Sequence, residues 1–184
     1  MAQRELGDFA VWACRKFQPK KIVALEPTEN LYKLLTRNVA LNNCGDIVQS
    51  VNAAVFSKNT VVSVRKAASS AMNSVVEDRG GDTEAITLEQ LAADHALDVI
   101  DLLKIDVEGG EQFLLTPENM TFFKRRVKNI FMEAHDLRGN KKENAGKYLR
   151  SIGFEVRETP FRWFFGIIRI QAWNAGLVTL QDRC

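Results

Sequence analysis

The stretch Asp101 to Leu115, DLLKIDVEGGEQFLL, decides the fold. It lies across the end of an apolar run, Val99 to Ile105, that reads as a buried strand and then breaks into an acidic cluster at Asp106 and Glu108. Gly109 and Gly110 let the backbone turn tightly into the next helix. In an open parallel sheet ligands sit beyond the carboxyl ends of the strands, so an acid that follows directly on an apolar run stands over the crevice. Asp106 and Glu108 are two apart and share a face if the strand persists, while Lys104, inside the run, can neutralise Asp106 or a nearby carboxylate. So many charges at a strand end are costly to bury unless paired or hydrogen-bonded, which favours a functional site over core.

Two further runs end the same way. Lys21 to Leu25, KIVAL, closes on Glu26 and Pro27, where a carboxylate can accept hydrogen bonds from both hydroxyls of a ribose. Taken alone, Glu26 reads equally well as an exposed carboxylate at a strand end. Val127 to Met132 ends at Glu133 and His135, which share a face. A histidine titrates near neutral pH, so His135 is a candidate to take the proton of a hydroxyl substrate, although spacing alone favours a surface histidine. His95 follows a helical segment with nothing beside it and reads as structural.

The rest of the chain supplies the alternation that a parallel sheet needs. Leu6 to Phe17 has helical spacing and stops at Pro19, and LYKLLTRNVALN after Pro27 and Thr28 carries a helical stripe. A second apolar run spans Ile47 to Val55, Thr60 to Val64 alternates like a half-buried strand, and the small, polar Ala68 to Gly81 reads as a loop. Thr87 to His95 and Lys141 to Ile152 read as helices, and Phe154 to Val156 with Phe161 to Ala172 as a closing antiparallel hairpin. The expected class is α/β: a doubly wound, mostly parallel sheet in one domain over residues 1–184.

Composition narrows the function. The 25 Lys and Arg against 23 Asp and Glu leave a net charge of +2, without the concentrated basic surface that nucleic-acid binding needs. Cys14, Cys44 and Cys184 are scattered with no CxxC pair, which argues against a disulfide framework and a structural zinc site, so no metal is expected. No apolar run approaches a membrane span, and even Phe161 to Ile170 is broken by Arg162, Gly166 and Arg169. The cytoplasm is the expected compartment.

DLLKIDVEGGE closely resembles the hallmark of FkbM-type methyltransferases: a strand ending in Lys, Ile, Asp, Val, Glu, Gly, and a further Glu after one small residue. VALEPTENLYKLLTRNVALNN resembles the second strand and following helix of that family, with Asn38 and Asn42 in its asparagine pattern. VNAAVF, Val51 to Phe56, is similar to its segment beside the adenine, and IFMEAH to a later strand ending in Glu, any residue, His. The resemblance implies a class I methyltransferase (Rossmann-like) fold, S-adenosyl-L-methionine as cofactor, and methylation of an oxygen on a sugar, glycan precursor or other small molecule. It implies that Glu26 holds the ribose, that Asn52 and Ala53 lie near the adenine, and that Asp106 and Glu108 face the methionine end or the acceptor. His135 would be the base, supported by Glu133.

The family pattern begins with a strand and a glycine loop, of which only Gly7 and Asp8 resemble the end. Gly7 is therefore the one loop residue assigned to the cofactor, and an N-terminally truncated domain is expected. A recorded start downstream of the true one and a fragment of a longer gene are favoured over a degenerate, catalytically silent binding or assembly module, because Glu26, Asp106 and Glu108 remain in place. A nicotinamide dehydrogenase is disfavoured, since no GxGxxG precedes the first helix.

Overall fold

The computed structural model describes residues 8–65, 74–78, 80–107, 110–135, 142–160 and 167–177. They fall into two compact units, Met1–Arg65 with Val75–Ile86 and Lys66–Ser74 with Thr87–Cys184.

In the first unit, α1 (Asp8–Phe17) starts on an acid and ends on Arg15 and Lys16, matching the helix dipole at both ends. Gln18 at φ 47 breaks it ahead of Pro19. Strand β1 (Ile22–Leu25) pairs in parallel with β2 (Val48–Val51), from Ile22 opposite Val48 to Leu25 opposite Val51. Between them runs α2 (Glu29–Leu41), which buries Leu35 and Val39, four residues apart as one helical face requires. Ala10, Cys14, Leu35, Val39, Cys44 and Val48 form a single buried cluster, joined by Val11, Ile22, Ala24 and Ile47. Cys14 and Cys44 lie in it as free thiols. Asn42 donates to the Asn38 carbonyl and accepts from Arg15, so one half of the asparagine pattern caps α2 and ties it to α1.

The unit also holds β3 (Ala54–Val55), β4 (Thr60–Arg65), β5 (Ser74–Glu77) and β6 (Thr83–Ile86), in the order β3-β6-β4-β5. Strand β3 runs parallel to β6, and β4 antiparallel to it. Two expectations are corrected here. The run Ile47 to Val55 is two strands joined by Asn52 and Ala53, and the expected loop Ala68 to Gly81 contains β5, whose Val75 and Val76 are β-branched. Residues 68–73 and 79 of that loop lie outside the described set. Gly81 passes so close to β4 that a Cβ there would meet the Val62 carbonyl and the Ser63 nitrogen.

The second unit starts with α3 (Leu88–Asp94), capped by the Thr87 hydroxyl accepting from the Gln90 N–H at 3.1 Å. Strand β7 (Ile100–Ile105) pairs in parallel with β8 (Val127–His135), and β8 follows α4 (Met120–Arg126). After α5 (Lys142–Ser151), the strands β9 (Phe154–Pro160) and β10 (Ile167–Asn174) close the sheet antiparallel in the order β7-β8-β10-β9. Alternation is clear along β10: Ile170 and Ala172 join Ile105, Ile130, Met132 and Ala134 in the core, while Arg169 and Gln171 take the other face. Helix α4 adds the buried Phe122 and Phe123, and α5 adds Ala145 and Leu149.

Asn174 fastens the end of β10. Its Nδ2 donates to the carbonyls of Lys124 at 2.9 Å and Val127 at 3.2 Å, and its Oδ1 accepts from Gly176. It is only 6% exposed, so Asn174→Ala strands carbonyls that water reaches poorly. The expected loss is about 2 kcal/mol of unfolding free energy in urea titration.

Candidate functional site

Each unit carries one cluster at the carboxyl end of a parallel strand pair. In the first, the ladder of β1 and β2 runs one step past the strands, with the Glu26 N–H donating to the Val51 carbonyl at 3.1 Å. Glu26 and Asn52 thus leave their strands side by side, because Leu25 stands opposite Val51. The Glu26 carboxylate turns back and accepts the Thr28 N–H at 2.8 Å, at the mouth of α2. Burial holds Glu26 above the usual carboxylate range, an effect that hydrogen bonds from Thr28 partly offset. A carboxylate offers about four acceptor positions, so beyond the Thr28 donors Glu26 has capacity for further ones, and hydroxyls suit it. Asn52 donates to the carbonyls of Glu26 at 2.9 Å and Pro27 at 3.3 Å. Ala53 is 1% exposed, so its methyl group is core.

In the second unit, Ile105 stands opposite Met132, which brings the residues that follow, Asp106 and Glu133, to adjacent places in the sheet. Each has a cation. Lys104 lies 2.8 Å from Asp106, and Arg169 of β10 lies 3.4 Å from Glu133, directly across the ladder. Lys104 was legible from its place inside the apolar run. Arg169 was not: in the sequence it reads as an interruption of the apolar stretch that ends at Ile170, and only the register of β10 against β8 makes it the partner of Glu133.

The strand does not persist to Glu108. It ends at Ile105, and a turn follows in which Gly110 N–H donates to the Val107 carbonyl at 2.9 Å. A Cβ on Gly110 would stand 3.1 Å from that same oxygen, which explains a small residue there. Beyond it Glu111, 6% exposed, opens a short 3-10 turn, a buried carboxylate that was not among the candidate site residues. His135 is the last residue of β8, and its ring lies outside the described set, as do Gly7 and Glu108. Among the described residues no three His, Cys, Asp or Glu gather as a metal site, and no helix is long and apolar enough to cross a membrane.

Comparison with known proteins identifies the fold and the family. Methyltransferase sdnD of Sordaria araneosa is 25% identical over 198 residues, covering 88% of this chain and 75% of its own. Among solved structures, precorrin-6y C5,15-methyltransferase of Geobacter metallireducens GS-15 superposes with a TM-score of 0.55 at 16% identity, over 94% of this chain and 76% of that one. Sp1610 of Streptococcus pneumoniae, solved with S-adenosyl-L-methionine, gives a TM-score of 0.55 at 15% identity, over 97% and 66%. At such identities the likeness is one of fold, the class I methyltransferase fold. The model of the methyltransferase FkbM domain matches residues 6–158, and the chain belongs to that family.

Proposed function

We propose that this S-adenosyl-L-methionine-dependent methyltransferase methylates a hydroxyl oxygen of a sugar or another hydroxylated small molecule. The observation that carries the reading is the rim of β7 and β8, where Asp106 and Glu133 stand at adjacent places and each is held by a cation. Ion-paired carboxylates keep free acceptor positions, which orient a hydroxylated acceptor through several hydrogen bonds at once. Glu26 fits the cofactor's ribose through the same chemistry, as a half-buried carboxylate that Thr28 orients and whose remaining lone pairs can accept hydroxyls.

The bound sulfonium supplies an electrophilic methyl carbon with a good leaving group. What remains for the chain is to align the acceptor oxygen and to receive its proton. His135, at the end of β8, is the base in this reading, and Asp106 and Glu133 hold the acceptor. Glu108 and Gly7 keep the cofactor roles implied by their motifs.

The test is the fate of a labelled methyl group. The chain is incubated with S-adenosyl-L-methionine labelled in the methyl and a panel of monosaccharides and nucleotide sugars. An alkali-stable methyl ether is expected, and alkali-labile or nitrogen-bound label overturns the reading. His135→Gln should lower kcat by about 10²–10⁴-fold with affinity for S-adenosylhomocysteine retained, and an unchanged kcat removes His135 from the role of base.

A further inference from the structure

Asn52 stands beside Glu26 without touching its carboxylate. Its Nδ2 carries two hydrogens, and both are used: one on the Glu26 carbonyl at 2.9 Å and one on the Pro27 carbonyl at 3.3 Å. Two carbonyl acceptors also settle which end of the amide faces them, since an oxygen there would oppose both. These carbonyls lie just past the last ladder bond of β1 and β2, from the Glu26 N–H to Val51, and just before α2, whose first turn is closed by the Tyr32 N–H on the Thr28 carbonyl. Neither strand nor helix serves them, so a side chain takes over the work of the backbone. On the other side of the same turn, the Glu26 carboxylate grips the Thr28 N–H at 2.8 Å.

We propose that Asn52 is a positioning residue of the ribose site: its amide clamps the Glu26–Pro27 backbone and so fixes where the Glu26 carboxylate stands, instead of donating to the adenine. The proposal rests on the reading of Glu26 as the ribose-holding residue. With both hydrogens spent, Asn52 has only Oδ1 left for a ligand, an acceptor that no ring nitrogen lone pair can use. The turn from β1 into α2 is thereby held by two side chains that answer to each other. Asn52 holds the backbone of Glu26, and Glu26 holds the backbone of Thr28.

The experiment is a double-mutant cycle on the full chain, with S-adenosylhomocysteine as ligand in calorimetry. Asn52→Ala is expected to weaken binding about five- to tenfold, the scale of one or two lost neutral hydrogen bonds, and to reduce discrimination against the 2′-deoxyribose analogue. Placed on Glu26→Ala, it should add nothing. Hydrogen exchange at the Thr28 amide, measured without ligand, should accelerate by a similar factor. Asn52→Asp keeps the volume and loses the donors, so it should act in the same direction. Losses that add in the double variant, or a Thr28 amide that exchanges as in the wild type, overturn the proposal. Weaker binding in Glu26→Ala with none in Asn52→Ala also overturns it and leaves the ribose reading standing. Unchanged affinity in Glu26→Ala overturns the ribose reading itself.

Discussion

Glu26→Ala is expected to weaken S-adenosylhomocysteine binding by about 100-fold or more, since each hydrogen bond to a charged group is worth about 1.5–3 kcal/mol. The carboxylate is already half desolvated and already oriented by the Thr28 N–H at 2.8 Å, so hydroxyl donors meet an acceptor that needs little rearrangement. The pH dependence carries a definite sign. Burial raises the folded-state pKa of Glu26, so between the ordinary carboxylate value and the raised one the folded protein holds more protons than the unfolded chain. Stability from this group is therefore full below that window and declines as pH rises through it. Ligand affinity runs the opposite way, because hydroxyls donate best to the ionised form, and it should fall as pH drops through the raised value. Glu26→Gln should flatten both profiles. At neutral pH without ligand, that variant should melt no lower than the wild type, because it removes a partly buried charge. Calorimetric titrations at several pH values, alongside thermal melts, read out each part; an affinity in Glu26→Gln that still falls on acidification would remove Glu26 from the site.

Phe123→Ala is the substitution expected to cost most in stability, about 3–5 kcal/mol by urea denaturation. The ring is fully buried, with edge-on contacts to Phe122 at 6.1 Å and Tyr148 at 6.3 Å between centroids. It therefore links α4 to α5, and truncation leaves a cavity between elements whose backbones are held elsewhere. Tyr148 is anchored by its hydroxyl, which donates to the Thr116 carbonyl, so it cannot swing in to fill the space. The Phe123 carbonyl lies at the edge of the Asn174 cluster, 3.5 Å from Nδ2, so a shift of α4 would loosen that fastening as well. Phe123→Leu should recover roughly half of the loss, because most of the buried apolar volume returns. A variant as stable as the wild type would show that α4 and α5 do not depend on this contact.

The parts of the fold that follow from local pattern were legible. KIVAL before Glu26 and VIDLLKI before Asp106 are mainly apolar runs that stop at an acid, and both are parallel strands with their acids at the carboxyl end. The burial expected of the second is not found: of β7 only Ile105 is buried, while Leu102 is 48% exposed. Strands β5 and β6 were not legible, since they are four residues each and TEAI carries Thr83 and Glu84, so only pairing with distant partners makes them strands. The same limit applies at the two clusters. The acids announce themselves by position, but the Asn52 amide reaches back 26 residues to Glu26, and Arg169 of β10 meets Glu133 across the ladder with β8. Neither distance is encoded in any local spacing. Glu111 is a further case, a carboxylate with no role legible in the sequence beyond its place in the motif, which is folded inward by a 3-10 turn.

The central place of β10 between two antiparallel neighbours makes alignment an all-or-none matter. Sliding it by a single residue against β8 would rotate Ile168, Ile170 and Ala172 out of the interior and drive Arg169 and Gln171 inward, with no intermediate offset that spares either set. The ionic contact with Glu133 exists only in the correct alignment, so it rewards the threading that also seals the interior. A carboxylate at the tip of β8 is then aimed by where the final strand happens to lock, which makes the late hairpin, far along the chain, the arbiter of geometry at the acidic rim.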